Sequence, residues 1–163
     1  MTSFHIRPIY QDKSLLDALR NLNRGILPIQ CPNSVYKVAM GDPRKLSAVV
    51  RNTETCGIVG GLIAQSVSNN VVIHTLAIEI QYRRRGVGTL LLKYLESLVI
   101  NEGIECMQLY VHEDNDVAIL FYQKFGFHKA QHIPDCYRHL KSPGGFLLEK
   151  RLERSSRLGY DRN

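Results

Sequence analysis

The most constraining feature of this chain is a change of rhythm around Arg83-Arg84-Arg85-Gly86-Val87-Gly88. The residues before it, 71–80, read as a strand. After it, Val87, Leu90, Leu91, Tyr94, Leu95 and Leu98 fall on one helical stripe, with Thr89, Lys93, Glu96 and Ser97 off it. A helix start offers unpaired backbone N–H groups and the positive end of its dipole. Glycines there let an anion approach the backbone. The junction therefore reads as a phosphate cradle, although the same residues also suit ordinary turn chemistry beside a solvated arginine face. It lacks the Lys-Ser/Thr of a nucleotide-triphosphate loop and carries only two glycines of the dinucleotide fingerprint, so both of those classes fit poorly.

The rest of the chain arranges around that junction. Residues 4–9 suggest a short first strand that meets Pro8 at an edge. Asp12 or Ser14 caps a helix over about 15–24, ended by Gly25. A proline-bearing apolar loop, 26–32, leads to a second helix capped by Asn33 or Ser34 and running to about Met40. Strands at 46–51, 57–66 and 71–80, separated by short polar turns, read as an antiparallel meander. Glu102-Gly103 stops the next helix, and 106–111 is a strand with Met107, Leu109 and Val111 on one face. Asn115 or Asp116 caps a helix over 117–124 ended by Gly126, and 127–133 and 146–152 are the last strands, joined by the loop 134–145. The expected class is α/β (α+β): one domain, 1–152, with a mixed, mostly antiparallel sheet of about seven strands flanked by about four helices. The charged residues 153–163 are expected to be a loose tail.

Composition sets the limits. A chain of 163 residues has room for one domain and a substantial core. The net charge of +6 favours an anionic partner, such as a phosphorylated cofactor or ribosomal RNA, without implying sequence-specific nucleic-acid binding. Cys31, Cys56, Cys106 and Cys136 form no CxxC pair and no zinc spacing, so no metal is expected. The opening Met-Thr-Ser-Phe-His shows no basic-then-apolar leader, and no apolar run reaches membrane-spanning length. The expectation is a soluble protein of the cytoplasm, or also of the nucleus, with free thiols and no membrane contact.

Two motifs carry a resemblance. Arg83-x-x-Gly86-x-Gly88 is similar to the acetyl-CoA signature of the GNAT superfamily of N-acetyltransferases. Downstream, Asn115-Asp116-Val117-Ala118-Ile119-Leu120-Phe121-Tyr122-Gln123-Lys124-Phe125-Gly126-Phe127 resembles that superfamily's second landmark, Asn-x-x-Ala-x-x-Phe-Tyr-x-Lys-x-Gly-Phe. Within it, the chain is most similar to N-terminal acetyltransferases of the NatE (San) type, through Leu27-Pro28-Ile29, Tyr36-Lys37 and Tyr82-Arg83-Arg84. The loop from Leu27 to Tyr36 also resembles that of the Golgi-associated NatF relatives.

The resemblance implies acetyl-CoA as cosubstrate. Leu76, Ala77 and Ile78 then pair with its pantetheine arm, and Arg83, Arg84, Arg85, Gly86, Val87, Gly88 and Thr89 take its pyrophosphate. Asn115, Ala118 and Lys124 orient it, and Tyr122 stands near the acetyl sulfur as a proton donor. The bland reading of Tyr122 is a core aromatic. San-type enzymes use a tyrosine on the fourth strand and a histidine on the fifth, where this chain has Val72 and Tyr110. Strand alternation puts Val72, His74 and Leu76 on one face, so His74 is the substitute base, with Tyr110 beside it on the next strand. Proton removal through ordered water, or loss of activity, are the alternatives.

Leu27, Pro28, Ile29, Cys31, His74, Tyr110, Cys136, Tyr137 and Arg138 are the expected peptide-binding residues. Cys31 and Cys136 replace family tyrosines. The implied activity is acetylation of protein α-amines, with Met followed by a hydrophobic residue at the N-terminus, by direct attack in a ternary complex. Lysine acetylation is secondary. The rival is a weakly active or inactive acetyl-CoA-binding subunit, a structural partner in a ribosome-associated complex of the NatA type.

Overall fold

The structure is a computed structural model and describes residues 3–153. The expected tail, Glu153 apart, lies outside the described residues. In chain order the elements are β1 (Phe4–Pro8), α1 (Lys13–Ile26), α2 (Asn33–Gly41), β2 (Ala48–Asn52), β3 (Ile58–Val67), β4 (Asn70–Ile78), α3 (Val87–Val99), β5 (Cys106–His112), α4 (Asp116–Phe125), β6 (His128–Ile133) and β7 (Gly145–Arg151). The strands form one seven-stranded sheet in the order β1-β2-β3-β4-β5-β7-β6. Every pairing is antiparallel except β4 with β5, which is parallel.

Strand alternation splits the core between the two faces. Val50, Leu62 and Ala64 point to the layer of α3 and α4, where Leu91, Leu92, Leu95 and Ile119 meet Met107 and Leu148. Val49 and Ile63 point the other way and meet Leu15, Leu16 and Leu19 of α1 and Tyr36 and Ala39 of α2. A fully buried leucine of this kind contributes about 1.5–3 kcal/mol.

Several boundaries move, each for a local reason. Asp12 caps α1, its side chain accepting from the Leu15 N–H at 3.1 Å. Gly25 does not end that helix, which runs on to Ile26. The stop comes from Pro28: the residue before a proline is pushed out of the helical region, and Leu27 is extended at φ −86° and ψ 129°. Neither Asn33 nor Ser34 caps α2, since Pro32 holds the cap position without a side-chain bond. β4 ends at Ile78, two residues early, and Ile80–Tyr82 winds into a 3₁₀ turn.

α3 also buries a different arc from the expected stripe. Val87, Leu91, Leu92, Leu95 and Val99 face inward because the helix packs on β2, β3 and β4 together. Tyr94 instead reaches outward, its hydroxyl donating to the Lys45 carbonyl at 2.6 Å. The helix stops at Val99, ahead of Glu102-Gly103.

Two irregularities position the site. β4 and β5 are hydrogen-bonded only from Asn70 and Cys106 up to Ile73 and Leu109, and beyond that they splay apart. In the β3–β4 ladder Ile63 pairs with Thr75 but Ala64 pairs with Ile73, so His74 is the extra residue of a bulge.

Candidate active site

The arginine-glycine junction forms a helix start, as the change of rhythm in the sequence predicts. Gly86 caps α3 in the left-handed region at φ +80°, and a side chain there meets nothing within 4 Å, so the approach is open. Arg84 is also left-handed, at φ +62°. Among the described residues, the N–H groups of Arg84 through Thr89 donate to no protein acceptor. Successive unpaired amides at a helix N-terminus form an anion cradle, and this is the structural observation that the residues fit a phosphate-bearing cosubstrate.

The arginine side chains and Gly88 take other parts. Arg83 folds back, Nε donating to the Ile78 carbonyl at 3.1 Å. The Arg85 guanidinium lies 5.5 Å from the centre of the Tyr82 ring. Gly88 is small for a packing reason: a Cβ there falls 2.9 Å from the Phe121 ring of α4. Only Gly86 keeps the role of opening the backbone to an anion.

The splay leaves one edge of Leu76, Ala77 and Ile78 without a strand partner, while β3 pairs with the other edge. The Ile78 carbonyl is already occupied by Arg83. The splay widens into a pocket of about 560 Å³. Leu27, Pro28, Ile29 and Cys31 line it from the α1–α2 loop, His74 and Leu76 from β4, and Tyr110 from β5. Asn115, Ala118 and Tyr122 complete it from α4, with Tyr137 from the β6–β7 loop. The structure thus brings together eleven of the predicted positions, among residues separated by more than a hundred places in the chain.

Tyr122 stands at the inner end, packed edge-on against Phe121 and Phe127 with ring centres 5.1 and 5.5 Å away. Among the described residues its hydroxyl has no hydrogen-bond partner, and it faces the pocket. Burial first, and the neighbouring Tyr137 second, push its phenol well above the usual tyrosine range. Burial holds it neutral, its O–H facing the pocket as a hydrogen-bond donor. Burial also pushes Tyr137 up to about 12, with Cys136 adding to the shift.

His74 lies on the pocket wall, its Nε2 3.2 Å from Gln65 Oε1 on β3. With Nε2–H donating to Gln65, Nδ1 is left as the free acceptor. Burial pushes the imidazole below the usual histidine range, favouring the neutral form that accepts a proton. The bulge corrects the expected alternation. Leu76 packs toward the α3 layer, while Thr75 meets Asn23 of α1, so Val72, His74 and Leu76 do not share one face. Tyr110 is 52% exposed at the pocket mouth.

Asn115, within the lining, spends its side-chain oxygen capping α4 through the Ala118 N–H at 3.2 Å. Other predicted residues stay outside. Lys124 is exposed on the last turn of α4 and does not line the pocket. Cys136 and Arg138 also stay out of the lining, because Cys136 packs with Tyr137 against Gly145, which has no room for a side chain. Leu140, Thr75 and His112 line the pocket without having been predicted for it. His112 is structural: Nδ1 accepts from the Asp114 N–H at 3.2 Å, and Nε2 donates to the Ser142 carbonyl at 2.6 Å. Its place on the Tyr110 face of β5 was the signal.

Known proteins agree with this geometry. Residues 16–127 match the acetyltransferase (GNAT) family. The chain is 30% identical over 138 residues to N-alpha-acetyltransferase 50 of Danio rerio, covering 82% of this chain and 81% of that one. It is 26% identical over 144 residues to the probable N-acetyltransferase san of Drosophila melanogaster, covering 85% and 76%. Among solved structures, Arabidopsis thaliana Naa50 in complex with the bisubstrate analogue CoA-Ac-MVNAL superposes with a TM-score of 0.80 at 22% identity, over 91% of this chain and 98% of that one. An unpaired-amide cradle, a splayed β4–β5 pair and a buried tyrosine, joined to a family match over most of the sheet, place this chain in the GNAT acetyltransferase family.

Proposed function

We propose that the chain transfers an acetyl group from acetyl-CoA to the α-amine of peptides and nascent proteins. The observation that carries the reading is one pocket lined by His74 and Tyr122, two polar groups suited to opposite proton transfers. The Danio rerio relative, named an N-alpha-acetyltransferase, supports the α-amine as acceptor.

Acetyl-CoA, when bound, supplies an acetyl thioester, and the chain's own groups manage the rest. The unpaired amides from Arg84 to Thr89 hold the phosphates. The free edge of Leu76–Ala77 takes the extended arm beside β4. His74 Nδ1 receives a proton from the incoming ammonium, directly or across one water. Tyr122 gives its proton to the leaving sulfur. Attack is direct: burial pushes the Cys31 thiol above its ordinary value, so the cysteine lining the pocket is not an activated nucleophile.

Leu27 and Ile29, with Cys31 in place of a larger ring, form an apolar wall suited to an N-terminal Met followed by a hydrophobic residue. Subunits of a larger acetyltransferase complex and the ribosome are the partners we propose.

The test measures binding and turnover side by side. Calorimetry reads acetyl-CoA binding, and mass spectrometry reads acetylation of a Met-Leu peptide by the same preparation. Binding with turnover is the expected result. Binding with no product at high enzyme concentration supports the inactive-subunit reading instead, and no binding sinks both.

A further inference from the structure

Asn23 is a fully buried amide on α1 in a position where the helix stripe calls for an apolar residue. Leu16, Leu19 and Asn23 follow one another at helical spacing, and the first two are core. The Asn23 side chain donates from Nδ2 to the Tyr36 hydroxyl of α2 at 2.8 Å and to Thr75 Oγ1 on the β4 bulge at 3.3 Å. Its Oδ1 is buried with no partner among the described residues. The unpaired acceptor costs stability and offsets part of what the two donated bonds contribute.

What the amide joins is the site. Thr75 lines the pocket directly after His74. On the other side, the backbone carbonyl of Asn23 accepts from the Leu27 N–H at 2.8 Å and from Gln30 Nε2 at 3.5 Å. Among the described residues, every hydrogen bond from the segment 27–31 to the preceding helix ends on Asn23, and that segment makes none to the sheet. Ile29 in the same segment is 42% exposed, so packing alone does not fix it. Residue 23 thus links the apolar wall of the pocket, through its carbonyl, to the strand that carries His74, through its side chain, beside the packing of Cys31 on the α1–α2 core.

We propose that Asn23 is a positioning residue that sets the distance between the 27–31 loop and the β4 bulge, and thereby governs how well the acceptor peptide is held. This rests on the acetyl-transfer reading of the pocket. The cosubstrate side of the pocket, at α3 and Tyr122, is untouched by this joint.

The variants are Asn23→Leu, which removes the amide at similar volume, and Thr75→Val, which removes only its partner on β4. Both are expected to raise the KM for a Met-Leu peptide about tenfold, the scale of one lost buried hydrogen bond. The KM for acetyl-CoA is expected to stay within about twofold. The double variant is no worse than Asn23→Leu alone, because Thr75→Val breaks a link that Asn23→Leu has already removed. Hydrogen exchange is expected to speed up at residues 27–31 and 73–76 in each variant. An unchanged peptide KM, an equal rise in both KM values, or unchanged exchange in those two segments overturns the proposal. If Asn23→Leu does not fold, Thr75→Val decides alone. If the parent chain transfers no acetyl group, the functional reading fails, and the exchange measurement still judges the joint by itself.

Discussion

At the scale of single residues, the proposed chemistry rests on two polar groups in different surroundings, Tyr122 and His74. Among the described residues the buried Tyr122 hydroxyl has no hydrogen-bond partner, so Tyr122→Phe removes the proposed proton donor while preserving the packing against Phe121 and Phe127. The expected result is a fall in kcat of about 10²-fold or more with the peptide KM little changed, measured by steady-state kinetics. His74 titrates in the opposite sense. Below its lowered range it carries a proton and cannot accept another, so activity falls as pH falls through that range. Gln65→Glu puts a carboxylate against the ring, favours the imidazolium and should move the acidic limb of the pH–rate profile upward by about one unit. A limb that stays in place dismisses His74 as the base. Sequence alone pointed to both residues but misread the geometry around His74, because a one-residue bulge leaves no mark in an alternating pattern. Asn23 was legible in principle as a polar break in an apolar helix stripe, whereas its tie to Thr75 spans 52 residues and appears only in the fold.

At the scale of elements, α3 does two jobs: its first turn presents the amides and its buried arc anchors them. Leu95 is fully buried, and Leu95→Ala should cost about 2–5 kcal/mol of unfolding free energy, read by denaturant titration. Gly88→Val should destabilise as well, by driving a branched side chain into the Phe121 ring. The β6–β7 loop that presents Tyr137 is tied down by Glu113, which accepts from Ser142 Oγ at 2.5 Å and from His132 Nε2 at 2.8 Å. Those two bonds lower the Glu113 carboxyl below its ordinary 4.5. A carboxylate lowered in this way stabilises the loop above that ordinary value, and its contribution is lost as pH falls through the lowered one. Hydrogen exchange across 134–144 should therefore accelerate at acid pH before the sheet opens. Element order and type were readable from periodicity, capping residues and turns. The errors fell where a neighbour decided: Pro28 ends α1 instead of Gly25, and packing on three strands widens the buried arc of α3.

At the scale of the molecule, the sheet is continuous except where β4 and β5 part, and the pocket opens at that break. The cradle, the pocket and the loops at its mouth lie on different elements that the sheet brings together. A ligand spanning cradle and pocket should stabilise the whole chain, and acetyl-CoA at about 100 times its Kd should add about 2.7 kcal/mol. That is a rise in Tm of about 5–10 °C, measurable by calorimetry. Overall architecture was legible because two motifs fixed the junctions on either side of β5. The pocket's contents were only partly legible, since Leu140, Thr75 and His112 enter it through a loop, a bulge and a strand end whose placement follows from tertiary packing. The central claim is that this chain moves an acetyl group from acetyl-CoA to a terminal amine. The most direct measurement is tandem mass spectrometry of a Met-Leu peptide carrying one internal lysine, after incubation with the protein and acetyl-CoA. The account predicts one added acetyl group, on the α-amine. An acetyl group on the lysine alone, or none at all, contradicts it.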